Sequence, residues 1–168
     1  MSPEEAKGMA AFFTMVIENE MPTDIRVLEA IPEDKSGYRP DDKARTALEL
    51  ARHIVVSDLW FTDAVTNGEF EMPSEETEKA LTSVAQALAL YKEKLPAAIE
   101  KIRALPGEQL AKEMSMFGVF NFPTVVYLSF LIRHSVHHRG QLSTYLRPMG
   151  STVPSIYGGS ADEPFQMP

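Results

Sequence analysis

The sequence predicts an all-α protein, a four-helix bundle, and three observations carry that expectation. Four long stretches repeat apolar residues at offsets of three and four, the spacing of one helix face. Almost no alternating strand pattern competes with them, and no internal repeat divides the chain. The 168 residues, 44% hydrophobic and 24% charged, suit one domain over 1–168 with a core of its own. Helices of comparable length, each with one apolar side, are most simply buried against one another.

The first helix is expected over 4–21, with Met9, Phe12, Phe13, Val16 and Ile17 on its apolar side. Pro22 and Thr23 should interrupt it. Pro32, Gly37 and Pro40 then mark a connection. Asp41 is the expected N-cap of a second helix over 42–66, striped by Leu48, Ala51, Val55, Leu59 and Thr62 and stopped by Asn67-Gly68. A third helix should begin near Ser74, where Glu75 and Glu76 suit the positive end of a helix dipole. Leu81, Val84, Ala85 and Leu88 form its stripe, Pro96 should kink or split it, and Pro106-Gly107 closes it. Residues 107–121 read as a Met- and Phe-containing connection. Pro123 suits the first turn of a last helix reaching about Arg147, before Pro148-Met149-Gly150. The tail, 151–168, carries Ile156, Tyr157 and Phe165 and is expected to pack on the bundle.

Composition narrows the chemistry. There is no cysteine, so a metal would be held by imidazole and oxygen, and a reacting thiol would come from outside. A net charge of -8 without a basic cluster disfavours a nucleic-acid partner. The acidic start, M-S-P-E-E-A-K, lacks the pattern of a signal peptide, and the longest apolar run, 125–132, is too short for a bilayer. The expectation is a cytoplasmic protein without a membrane partner.

Three of the four histidines fall in R-H-S-V-H-H-R-G-Q, 133–141. At about 100° per residue, His134 and His138 lie about 40° apart on one helix face, which lets two imidazoles reach one ion. His137 points about 100° away from His138 and is the poorer partner. A third ligand must come from another helix, and His53 is the remaining histidine. Three neutral imidazoles and an open vertex make a catalytic rather than a structural metal arrangement. Gln141 and Tyr145 continue the same stripe and are candidates to orient a ligand or the substrate. The spacing equally suits ordinary helix histidines, with His53 a satisfied core residue and Gln141 and Tyr145 filling an interface. Met114-Ser115-Met116-Phe117 either edges a pocket or fills the core.

The block H-S-V-H-H-R-G-Q-L-S-T-Y-L-R-P-M-G-S-T-V-P-S-I-Y-G-G-S-A-D-E, 134–163, resembles the C-terminal signature of DinB-like (damage-inducible) proteins. A-I-P-E-D at 30–34, Y-R-P-D-D-K-A at 38–44 and E-L-A-R-H-I at 49–54 are similar to that family's N-terminal half. The resemblance implies a single-domain four-helix bundle with a long crossover connection and a divalent metal, commonly zinc or nickel, held by His53, His134 and His138. It also implies a homodimer, His137 beside the site, Arg139 paired with an acidic residue, and Gly140 admitting a neighbouring helix. Characterised branches carry out transfer reactions with low-molecular-weight thiols.

The function expected is therefore a metal-dependent transfer or conjugation of a small thiol onto a small electrophilic substrate. A tri-histidine ion keeps its charge and lowers the pKa of a bound thiol or water. Two other classes stay open: a metal-binding stress-response protein without turnover, and a metal-dependent hydrolase. Imidazole donors do not choose among zinc, nickel, copper and iron.

Overall fold

The computed structural model describes residues 1–72 and 75–165. Its helices are α1 (Pro3–Glu29), α2 (Ala47–Asn67), the short α3 (Glu75–Ala80), α4 (Val84–Ala104) and the short α5 (Gly107–Ala111). A hairpin of β1 (Glu113–Met116) and β2 (Phe120–Pro123) follows, then α6 (Tyr127–Leu146). The four long helices form the bundle, in which α4 and α6 each pack on both α1 and α2.

Side-chain pairs fix the helix directions. Lys7 donates to Arg103 O (2.7 Å) and Lys92 meets Glu29 (2.6 Å), so α1 and α4 run antiparallel. Asp24 meets Arg139 (2.9 Å) and Ala30 O accepts from Ser151, so α1 and α6 run the same way. Tyr91 reaches Asp58 (2.9 Å) and Gln109 reaches Thr66 O (2.8 Å), which sets α4 parallel to α2. Two consecutive long helices with one direction require the chain to return along the bundle. The stretch 68–83 does so and carries α3. This is the long crossover that the family resemblance implies.

Leu50, Ile54, Leu95, Ile99, Leu128 and Leu131 meet in the core. Each such side chain contributes about 1.5–3 kcal/mol through burial. Gly107 is fixed by a close approach: a Cβ there would stand 2.5 Å from Pro3 O.

Several expected boundaries move. Pro22 and Pro96 neither interrupt nor split their helices, because both sit on exposed faces of continuous α1 and α4. Water can satisfy the carbonyl that each proline frees one turn earlier. The cap of α2 is Thr46 rather than Asp41: Glu49 N donates to Thr46 Oγ1 (3.1 Å) and Thr46 N to Glu49 Oε2 (2.7 Å). Asp41 instead accepts from Lys43 N within the connection. The expected start of the third helix at Ser74 lies outside the described residues. Its span is broken after Ala80, and Ser83 caps α4 by accepting from Gln86 N (3.1 Å).

The stretch 107–121 is not a plain connection. It holds α5 and an antiparallel hairpin turning at Phe117 (φ 54°) and Gly118 (φ 73°). Tyr127 Oη anchors the hairpin by donating to Met114 O (2.7 Å). The tail packs through Ile156 and through Glu163, which pairs with Arg26; Phe165, however, is 71% exposed. No helix among the described residues is long and apolar enough to cross a membrane.

Candidate metal centre

The capped first turn of α2 sets the helix phase so that His53 faces α6, where His134 and His138 stand one turn apart. Their potential ligand atoms all lie within 4.8 Å of one another. His53 Nε2 and His134 Nε2 are 3.0 Å apart. The ring of His138 is 4.6 Å from His53 and 4.4 Å from His134, centroid to centroid. Two nitrogens sharing one ion at about 2.1 Å are separated by about 3.0–3.4 Å, so the His53–His134 spacing fits a divalent cation.

Burial holds His53 down to about 3 and His134 down to about 4, with the Arg45 guanidinium adding to the effect. His138 is lowered too, mainly by burial. All three are neutral at pH 7, the form that offers a lone pair to a metal. His138 Nδ1 lies 3.0 Å from Gln141 Oε1, which only accepts, so Nδ1 donates and Nε2 is left free for an ion. Gln141 Nε2 in turn donates to Tyr145 Oη (3.4 Å). Gln141 therefore orients the His138 ring, and Tyr145 sits buried behind it. Among the described residues, His134 Nδ1 is buried without a hydrogen-bond partner, and its ring packs 6.1 Å from Phe61. His137 is exposed and outside the group, as the helix angle requires.

His53 and His134 face a cavity of about 500 Å³, bounded by α2 and by α3 of the crossover. Arg45 and Arg52 lie toward one end, Trp60 and Phe61 toward the other. Trp60 Nε1 donates to Glu71 O (2.8 Å), pinning the crossover to α2, and Phe117 of the hairpin stacks against Trp60 at 6.1 Å. The Met114–Phe117 segment divides its work: Met114 fills the core while Phe117 supports the aromatic wall.

Behind the imidazoles lies a polar network in which Arg139 has the acidic partners that the resemblance implied, while Asp58, Tyr91 and Ser135 were not anticipated. Arg139, 1% exposed, pairs with Asp24 (2.9 Å) and Glu20 (2.6 Å). Tyr91 Oη lies 2.9 Å from Asp58 Oδ2 and 3.3 Å from Asp24 Oδ2, and Ser135 Oγ lies 3.4 Å from Asp24. Burial raises Asp24 to about 6 against the pull of Arg139, and raises Asp58 well above the usual carboxylate range. Burial thus favours the protonated form of Asp58, while Asp24 and Glu20 are the carboxyls that meet the buried guanidinium. Asp24 and Asp58 occupy positions on the apolar stripes of α1 and α2, the one sequence signal that could have flagged them. The expected role of Gly140 is not found: it is exposed, and a Cβ there would meet nothing within 4 Å.

A DinB family model matches residues 17–165. The chain belongs to the DinB family. Among its relatives is YjoA of Bacillus subtilis (strain 168), 32% identical over 134 residues, covering 77% of this chain and 83% of that protein. The YjoA structure superposes with a TM-score of 0.67, covering 84% of this DinB chain and 94% of that one. YfiT from Bacillus subtilis, described as a probable metal-dependent hydrolase with an unusual four-helix bundle topology, shares the fold. Its TM-score is 0.68 at 16% identity, covering 90% and 91% of the two chains. A mycothiol-dependent maleylpyruvate isomerase gives 0.53 at 14% identity, over 92% of this DinB chain and 65% of that one.

Proposed function

We propose that this protein binds a divalent cation at His53, His134 and His138 and uses it to transfer a low-molecular-weight thiol to a small electrophilic substrate. The observation that carries this is the convergence of three neutral imidazoles, His138 oriented by Gln141 and the other two at the wall of a cavity large enough for a small molecule. Zinc and nickel both suit the donor set. Bound there, a divalent ion supplies a positive centre that favours the thiolate over the thiol.

The chain's own residues position and shelter the reaction. Gln141 fixes the His138 ring, and Trp60 and Phe61 exclude water on one side. In the transfer the sulfur–hydrogen bond breaks and its proton passes to solvent. A sulfur–carbon bond forms, and the leaving group departs with its bonding electrons. The mycothiol-dependent isomerase that shares the fold supports a thiol, and YfiT supports hydrolysis at the same centre as the competing outcome. The homodimer that the family resemblance implies belongs to the same proposal.

Purified protein is stripped with chelator and reloaded with zinc or nickel. It is then assayed for consumption of a small thiol with a chromogenic aryl halide. Turnover should need metal and disappear in His134→Ala. Metal-free turnover, or full activity in that variant, removes the transferase reading; ester hydrolysis without added thiol replaces it. Metal should also raise stability by about 2.7 kcal/mol at a hundredfold excess over Kd, and His53→Ala should abolish that gain.

A further inference from the structure

The cavity beside the imidazoles carries two cations for which the metal centre has no use. Arg45 sits just before the Thr46 cap, and Arg52, His53, Val56 and Trp60 follow on the cavity side of α2. The wall is therefore graded, cationic at one end, imidazole in the middle and aromatic at the other. Among the described residues, Arg45 enters no hydrogen bond or ion pair. Arg52 Nε, again among the described residues, is buried with no hydrogen-bond partner. A buried guanidinium donor without an acceptor is costly, and a ligand oxygen relieves that cost.

The acidic residues of the cavity are largely occupied. Glu49 is turned to the amide of Thr46, and Glu75 is paired with Lys79 at 2.7 Å. Glu78 on α3 remains on the facing wall. Glu49 keeps its charge beside Arg52 and Glu78 adds a second, so this nearly balanced lining suits a monoanion better than a doubly charged phosphate. A planar carboxylate also matches the guanidinium fork.

We propose that Arg45 and Arg52 form a carboxylate-binding site, so that the small substrate or thiol handled here is an organic carboxylate. This rests on the proposed function only for the position of the reacting atom at the imidazoles. The guanidiniums select the carboxylate end, and the aromatic wall receives the remainder of the molecule.

Cobalt(II)-loaded protein is titrated with 3-mercaptopropionate, 3-hydroxypropionate, neutral 2-mercaptoethanol and inorganic phosphate. Binding is followed by the visible cobalt spectrum and by fluorescence of Trp60, the single tryptophan. Both carboxylates should bind about ten- to a hundredfold more tightly than 2-mercaptoethanol. Arg45→Gln and Arg52→Gln should each lower that preference about tenfold with unchanged metal content. Arg52→Lys, which keeps the charge, should retain part of it and so separates lost recognition from lost folding. The site is overturned if 2-mercaptoethanol binds as tightly as the carboxylates, or if phosphate binds and they do not. It is equally overturned if the preference survives in the double Gln variant, because the ion alone then explains it. Carboxylate preference without a sulfur-to-cobalt band sinks thiol transfer and leaves this site standing. A sulfur band with no carboxylate preference does the reverse.

Discussion

Replacing Arg139 with Met tests the buried network through its pH dependence. The substitution keeps an unbranched apolar stem but removes a guanidinium that is 1% exposed and holds Asp24 and Glu20. Asp24, already raised to about 6 with the cation present, moves higher without it. The wild-type carboxyl is ionised above pH 6, whereas the variant's takes up a proton instead. Protonation caps the loss through Asp24 at about 1.4 kcal/mol per pH unit above 6, hence about 1.4 at pH 7 and about 2.7 at pH 8. Lost contacts to Glu20 and Tyr157 add about 1–3 kcal/mol at every pH. The total, about 3 kcal/mol at pH 7, matches the usual cost of breaking a buried pair. The sign is fixed: a carboxyl raised above its unfolded value loses stability as pH rises toward its folded pKa. The deficit of Arg139→Met should therefore be flat below pH 6 and grow between pH 6 and 8. Guanidinium chloride unfolding of metal-free protein at pH 5.5, 7 and 8 measures it. Asp24→Asn combined with Arg139→Met should flatten the trend. A deficit that stays constant or shrinks with rising pH would refute the ionised Asp24–Arg139 pair.

Two further outcomes are expected. Gln141→Ala removes the acceptor for His138 Nδ1 and should weaken metal binding about ten- to a hundredfold in competition with a chromogenic chelator; unchanged affinity would show that this contact orients nothing. Gly107→Ala forces a Cβ against Pro3 O and should cost about 1–3 kcal/mol, whereas Gly140→Ala, in open space on a helix, should gain up to about 1 kcal/mol. Thermal unfolding of both proteins decides, and equal effects would refute the difference in crowding.

The bundle and the three imidazoles were legible because both obey helix periodicity. His134 and His138 lie one turn apart, and a chain with one other histidine outside that cluster left His53 as the natural third. Pro22 and Pro96 misled because a one-dimensional pattern does not show which face of the helix carries the proline. The hairpin escaped because four-residue strands are too short to display a period. The charged network was hidden by distance along the chain: Arg139 lies 115 residues from Asp24, and Tyr91 lies 33 from Asp58. Arg45 and Arg52 gained meaning only once the crossover was seen to close a cavity over them.

The order in which the network's members are synthesised has its own effect. Asp24, Asp58 and Tyr91 leave the ribosome long before Arg139, and Tyr157, which shares the guanidinium with Glu20, comes later still. A nascent chain ending before α6 would have to bury acidic side chains with nothing positive to receive them. Such a fragment would leave the Asp24 carboxyl protonated, so its charged pair with Arg139 forms only when the last quarter of the sequence docks.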